Sequence, residues 1–514
     1  MTPSQGKRAP LARLQTAVVI TAAIAAIAAT VLVWYGLAER SEGEQPSPRA
    51  SADTAAAEPR SRPDLDPPLI TVDEASAAPD AHALIFLSPR MENPRRDSAR
   101  QQQGALALDG EGRTVWFRPA KDGEPVTDLR VQTYRGEPVL TWWHGAASKM
   151  GVGRGEGVIV DDRYRTIATV RAGNGLTADL HEFLLTDRGT AFVTIYSRAR
   201  RDLTGIGGLP DAQVTQGIVQ EVDVETGRVL FEWRSLDHVE PSEGMRPPPT
   251  KPQESYDYFH INSVEELPDG DLLISARATS AIYRVDRETG NVVWRLGGKQ
   301  NDFDMGPGTT FGLQHDARDL GDGVVQVFDN AHEAKDGERQ RASSVKRIAL
   351  DEQAMTARLV QRFDQPDDMW AESQGNAHPL DGGGVMVGWG SAGAFTRFDA
   401  DGRVLLDAHL PAEYDSYRAY LERWEGTPVE PPAIDAVRDG DQVTIVASWN
   451  GATEIDSWQV LAGPRPDDLE PVGGTTEWAG LETRIVRATE DPFVAVAALD
   501  AAGRTLDTSP AVRE

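Results

Sequence analysis

Across 514 residues, 80 acidic against 52 basic side chains leave a formal net charge of −28. So acidic a surface argues against general binding to nucleic acid or to an anionic membrane face, and any anion site must bring its own cations. There is no cysteine, which excludes disulfides, thiolate catalysis and thiolate-ligated metals, while 48 glycines and 33 prolines favour a turn-rich β protein.

Residues 1–16 hold Lys7, Arg8 and Arg13 and read as a cytoplasmic basic tail. Ala17 to Ala38 is a run of 22 residues without a charge, which meets the ~20 residues a helix needs to span a bilayer. Glu39, Glu42 and Glu44 follow it, so the positive-inside rule places the bulk of the chain outside the cytoplasm as a single-pass, membrane-anchored protein. A signal peptide cleaved near Ala38 is the alternative, and it too exports the chain. Residues 39–69, rich in Ser, Pro, Ala and charge, read as a disordered linker.

Two kinds of turn then alternate. In the first, an Asp leads a short polar turn into an apolar strand: Asp109, Asp161, Asp223, Asp286, Asp351 and Asp399, at intervals of 52, 62, 63, 65 and 48 residues. Between them fall YRGEPVLTWW, TDRGTAFVTIY, LPDGDLLISAR, LGDGVVQVFDN and LDGGGVMVGWG. Each unit thus holds about four strands joined by hairpins, the composition of a propeller blade. The expectation is an all-β chain with a six-bladed β-propeller over residues 70–430, closed by a strand near Ala83. An irregular β-sandwich is the plainer alternative. After Pro431 the rhythm changes, and residues 431–514 read as a fibronectin type III-like β-sandwich with Trp449 and Trp458 in its core.

The repeat sorts the histidines. His181 lies 8 residues before Gly189, His260 lies 10 before Gly270, and His315 lies 8 before Gly323. All three therefore start the same strand in successive units, and if that strand is innermost they surround one mouth of the channel. Seven residues beyond each glycine stand Tyr196, Arg277 and Asn330, of which the last two suit oxyanion binding or orientation of a ring nitrogen. An imidazole can attack phosphorus or sulfur covalently. A second can carry a proton near neutrality, and a guanidinium meets charge on equatorial oxygens. Taken singly, each histidine is more commonly a hydrogen-bonded structural residue; their coincidence in the repeat argues for a site. His378 takes a similar place in the next unit, and His144 ends a strand that can line the same channel. Trp142, Trp143, Trp389 and Phe311 are candidates for walling an aromatic substrate, with core packing as the default. An open three-histidine zinc site competes, but Arg277 would set positive charge beside the cation and no acidic ligand repeats with the histidines.

At DLHEFLLTDRGTAFVT, DYFHINSVEELPDGDLLISAR, VVWRLGGKQNDF and LQHDARDLGDGVVQVFDN the chain resembles the bacterial arylsulfotransferase (arylsulfate sulfotransferase) family, over roughly Ala83 to Tyr420. The resemblance implies a six-bladed propeller acting outside the cytoplasm. It implies transfer of a sulfuryl group from a phenolic sulfate ester to another phenol through a sulfated histidine, with no nucleotide donor, cofactor or metal. By motif, His315 in LQHDA matches the nucleophile, and His260 in FHINS and Arg277 in ISARATS match the groups that bind and activate the sulfuryl group. His181 in DLHEF serves the same site, with Asn262 and Asn330 orienting; His378 and His144 are further substrate-binding candidates. Partners are then small phenols and aryl sulfates. The competing reading is a non-catalytic extracytoplasmic propeller that holds a ligand or acts as a scaffold.

Overall fold

The computed structural model describes residues 60–76, 83–91, 101–121, 124–148, 151–332 and 340–514. The expected anchor over 17–38 lies outside the described residues, among which no helix is long and apolar enough to cross a membrane.

The described chain is all-β. Six antiparallel sheets follow in chain order. Sheet two consists of Val126–Tyr134, Glu137–Ala147, Gly153–Val160 and Thr166–Val170, and sheet three of Phe183–Leu185, Thr190–Arg201, Ala212–Asp223 and Val229–Arg234. Sheet four consists of Ile261–Glu266, Leu272–Ala276, Ala281–Val285 and Val292–Gly297. Sheet five is built from His315–Asp319, Val324–Asp329, Ser344–Asp351 and Thr356–Asp364, and sheet six from Asn376–Pro379, Val385–Gly388, Ala394–Phe398 and Val404–His409. Sheet one joins both ends of the ring: Ala83–Arg90, Gly104–Leu108 and Thr114–Pro119 come from its start, while Asp415–Arg423 pairs with Ala83–Arg90 from its end. Ala83–Arg90 therefore takes part in closure as expected, but the closing strand itself is Asp415–Arg423.

The predicted turns make the hairpins. Asp223 and Asp286 each accept the N–H and hydroxyl of a threonine three residues on, at 2.7 Å, and so fix the turn between third and fourth strands. Asp109 does the same work with the N–H groups of Glu111 and Arg113 and the Arg113 guanidinium. These side-chain bonds replace water for backbone donors that the tight turn leaves unpaired.

Inner strands are packed on both faces, such as the fully buried and mostly apolar Leu272–Ala276, whereas outer strands such as Val292–Gly297 alternate. Hydrogen bonds from the axial end of each sheet to the next complete the circle. Thr127 donates to Leu180 O (2.9 Å), Tyr196 to Ile261 O (2.6 Å) and Asn262 to Gln314 O (2.7 Å). Ala377 N donates to Asp316 (3.0 Å), Asn376 to Ala419 O (2.9 Å), and Arg418 to Asp128 (2.9 Å). The six sheets thus form a closed, propeller-like ring around a polar axis.

The linker expectation fails at its C-terminal end. From Arg60 onward the chain is bound to the fold: Arg62 N and Ser61 Oγ donate to Glu482, and Leu65 is buried with Ile85, Leu106 and Met386. Leu65 and the hydrogen bonds to Glu482 together anchor a stretch that is otherwise mostly polar. Thr71–Ala75 then adds a fifth strand to sheet six beside Val404–His409.

Beyond the ring, two sheets share one core. Val443, Ile445 and Ile485 come from one, and Trp458, Val460 and Val496 from the other, with Trp449 at the margin. This module caps the outer edge of sheet one. The Asn450 side chain bonds both Phe117 N (2.8 Å) and Phe117 O (2.9 Å), and Gly451 N reaches Val115 O (2.9 Å). Gly451 has φ +98°, and a Cβ there would meet the Tyr164 ring at 2.5 Å, so both its conformation and the close approach require glycine.

Candidate active site at one mouth of the ring

His181, His260 and His315 stand at or just before the innermost strands of sheets three, four and five, at Phe183, Ile261 and His315 respectively. Together with Arg277, at the end of the second strand of sheet four, they line a single cavity of about 1040 Å³. The His181 and His260 rings meet edge to face with centroids 5.2 Å apart, and each lies 5.4 Å from the Tyr196 ring. Tyr417, from the closing strand, approaches His181 (5.6 Å) and His315 (6.5 Å).

All three imidazoles are held by Nδ1. His181 Nδ1 bonds Asp179, whose other oxygen accepts Gly153 N at 2.5 Å. His260 Nδ1 donates to Asp257 Oδ2 at 2.6 Å. His315 Nδ1 donates to Asn330 Oδ1 at 2.8 Å, and that amide cannot be turned round, because its Nδ2 donates to Ala371 O and Gln374 O at 2.9 Å each. His315 Nε2 accepts Gln374 N at 3.3 Å. The ring is therefore the neutral Nδ1–H tautomer, with its Nε2 lone pair held by Gln374 N at the cavity wall. Burial, followed by the charge of Arg277, pushes the His315 pKa well below the usual histidine value, which keeps that lone pair unprotonated. Burial likewise lowers the pKa of His181 against the pull of Asp179. Burial also raises Tyr196 well above the usual phenol value, so its hydroxyl stays a donor.

Arg277 is half-buried. Its Nη2 donates to Glu372 O at 3.1 Å, and its Nε is buried without a partner. A planar cation with an unused buried donor, beside the rings of His181, His260 and His315, is suited to a tetrahedral oxyanion. Aromatic and apolar groups complete the wall: Trp370, Tyr256, Tyr414 and Met245.

The arylsulfotransferase (ASST) family model matches residues 130–410, just over half of the chain. The chain belongs to this family. The matched span contains His181, His260, Arg277 and His315. Comparison with curated protein sequences gives no match. Among solved structures, the chain is similar to a protein of unknown function from Bacteroides caccae, at 12% identity over 67% of this chain and 100% of the other, with a TM-score of 0.40. It is also similar to virginiamycin B lyase from Staphylococcus aureus with quinupristin, at 10% identity over 73% and 95%, with a TM-score of 0.33.

The structure places the remaining sequence candidates elsewhere in this arylsulfotransferase-family chain. Asn262 and Asn330 stand behind the wall: Asn262 links sheets four and five through Gln314 O, and Asn330 holds His315. His378 does not line the cavity. It sits two residues inside the innermost strand of sheet six, roughly 7 Å further along the axis at the usual rise per strand residue. Its ring lies 5.4 Å from Tyr420, and burial lowers its pKa to about 4. Gln374 fills the mouth position of that sheet instead. His144 is also outside the cavity. It pairs directly across from Glu156, and its ring nitrogens face Glu124 (3.6 Å) and Glu156 (3.5 Å). Trp142, Trp143, Trp389 and Phe311 are all core residues. Among the described residues no group of three or more His, Asp or Glu is arranged to hold a metal.

Below the histidines, the axis is filled by charge. Arg418 bonds Asp128 (2.9 Å) and Glu182 (3.0 Å) through Nη1, and Arg130 (2.8 Å) and Arg318 (2.6 Å) also reach Glu182. Arg318 Nε takes Asp316 at 3.0 Å. Burial alone would raise the Glu182 pKa, but Arg318, Arg418 and Arg130 hold it below the carboxylate range. The acids next to two of the site histidines, Glu182 and Asp316, thus belong to this buried layer and not to the cavity.

Sequence reasoning missed Asp179, Asp257, Trp370 and Tyr417. The two aspartates carried a signal, since Asp precedes the histidine in both DLHEF and DYFH. Trp370 and Tyr417 carried none, because a loop and the closing strand bring them in from outside the three aligned units.

Proposed function

We propose that this protein is a sulfotransferase that moves a sulfuryl group from a phenolic sulfate ester to a phenol, without a nucleotide donor, through a sulfohistidine at His315. The observation that carries the reading is the His315 ring itself: neutral, fixed by Asn330 as the Nδ1–H tautomer, and set in the wall of a cavity that also holds Arg277, His181 and His260, with its Nε2 under one long bond from Gln374 N that a substrate would displace. In the first half-reaction the Nε2 lone pair forms a bond to sulfur while the sulfur–aryl oxygen bond breaks. Arg277 and the two other imidazoles meet the charge on the sulfuryl oxygens. In the second half, the acceptor oxygen forms its bond to sulfur and the N–S bond breaks, returning His315. The charged layer below seals the axis, so donor and acceptor would use one mouth in turn, which suits a ping-pong exchange.

The same reading takes the ring as a six-bladed β-propeller, residues 431–514 as a fibronectin type III-like module, and Ala17–Ala38 as a membrane anchor holding the folded part outside the cytoplasm. The test is full-length protein in detergent with 4-nitrophenyl sulfate and a panel of phenols. Nitrophenol release should depend on the acceptor, and quenched enzyme should carry sulfate on the His315 peptide. His315→Ala should lower turnover by about 10³-fold or more, as loss of a covalent nucleophile does, with unfolding left cooperative. No acceptor-dependent release from any phenol would sink the transferase reading.

A further inference from the structure

The three site imidazoles differ in what holds their Nδ1. For His315 it is a neutral amide, Asn330; for His181 and His260 it is a carboxylate. A carboxylate stabilises an imidazolium, whereas an amide does so far less. The two carboxylate-held rings differ in turn. The His181 side chain is 4% exposed beside a fully buried Asp179, while His260 and Asp257 are 14% and 15% exposed. Of the two carboxylate-held rings that line the cavity, His260 is the more accessible.

We infer that Asp257 is a positioning residue that makes His260 the proton carrier of the reaction. The inference rests on His315 acting as the nucleophile. Asp257 works on His260 in two ways. Its Oδ2 takes Nδ1–H, which turns Nε2 toward the cavity, and its Oδ1 accepts His260 N at 3.2 Å. The second bond supports a backbone at φ +53°, a left-handed conformation unfavourable for a residue with a Cβ. His260 O is fixed as well, by Arg277 N at 2.8 Å. Facing the ring are His181 and Tyr196 from sheet three, Arg277 from its own sheet and His315 from sheet five. Of its surroundings Asp257 is the anion in direct contact.

As the sulfur–oxygen bond to the donor breaks, the phenolate oxygen takes the proton from His260 Nε2 and leaves as a phenol. The neutral ring then keeps its Nδ1–H on Asp257. When the acceptor's oxygen bonds to sulfur, its hydroxyl proton passes to His260 Nε2, and the imidazolium is restored as the N–S bond breaks.

The test compares two donors in single-turnover formation of the sulfated enzyme, using the full chain. 4-Nitrophenolate leaves without help, whereas phenolate needs a proton. Asp257→Asn keeps the shape and the backbone acceptor but removes the charge. It should slow reaction with phenyl sulfate on the order of 10²-fold, the usual worth of general acid catalysis, and leave 4-nitrophenyl sulfate nearly unchanged. In a His260→Ala background Asp257→Asn should add nothing further. Equal slowing of both donors, or a full further loss in that background, would show a structural role only and overturn the inference while leaving the transferase reading standing. Absence of transfer by the wild-type chain from either donor would overturn both.

Discussion

Two polar layers share the axis of this ring and are built from adjacent residues, yet they have opposite characters. At the mouth, three imidazoles and a guanidinium line a cavity, with His260 in a left-handed backbone. One step inward, Arg130, Arg318 and Arg418 are paired with Asp128, Glu182 and Asp316, and the layer is buried. Leu180–His181–Glu182 and His315–Asp316 each contribute a residue to both. The contrast teaches that a polar propeller axis is not by itself a site. Where charges are matched they close the channel and hold neighbouring sheets in register; where polar groups are left unmatched they await a ligand.

Breaking the closed layer should cost stability first. Arg418→Met removes the partner shared by Asp128 and Glu182 and leaves buried negative charge under-compensated. The expected loss is about 3–5 kcal/mol in urea unfolding, typical of removing one member of a buried ion pair. Removing His315 from the open layer should cost less than half as much, because its ring carries no charge and is held by two hydrogen bonds, to Asn330 and from Gln374 N, with packing against Tyr417. If the two variants destabilise alike, the division between a structural and a functional layer is wrong.

The second prediction moves a charge between the layers' logics. Asn330→Asp sets a carboxylate against His315 Nδ1, as already found at His181 and His260. In the wild type the His315 pKa is held well below the usual value by burial and Arg277, so activity should persist into mild acid and fall only as pH drops through that lowered pKa. The carboxylate favours the imidazolium, so the acidic limb of the rate profile should shift to higher pH by about one unit or more. An unmoved limb would mean that His315 does not titrate in the rate.

Much of this was legible because the repeat converts sequence spacing into geometry. The Asp-led turns and the Gly-centred hairpins located the strands, and His181, His260 and His315 fell at one strand position because each is 8 or 10 residues from its glycine. His378 shows the limit of the rule. It is 6 residues from Gly384, and that shorter spacing carries it past the mouth to a partly exposed place beside Tyr420 and Glu422. Arg418 and Tyr417 could not be placed, since the closing strand is not part of the repeat they enter. Leu65 was read as tether because one apolar residue makes no pattern, yet it is buried against sheet one.

The smallest effect is expected at Glu422, on the same strand as Arg418 but without its partners. Its carboxylate accepts Val131 N at 2.6 Å and faces His378 at 4.0 Å, a ring whose pKa of about 4 leaves it neutral. Burial raises the Glu422 pKa from 4.5 to about 7. The folded state therefore binds this proton more tightly than the unfolded chain does. The resulting stabilisation is fully present below pH 4.5 and is lost as pH rises through about 7. Glu422→Gln removes the titration. It should make the protein more stable than wild type at pH 8, by on the order of 1–2 kcal/mol, and the advantage should shrink as pH falls and vanish only below pH 4.5, where the carboxyl is neutral in the fold and in the unfolded chain alike. His181, His315 and His378 act in the opposite sense, since their lowered pKa values cost stability as pH falls below the unfolded histidine value. Urea midpoints of the pair, measured from pH 5 to 8, isolate the Glu422 contribution because the histidines are common to both. A constant offset across that range would show that the carboxylate is paired after all, and that the matched layer extends one residue further along the axis than Arg418.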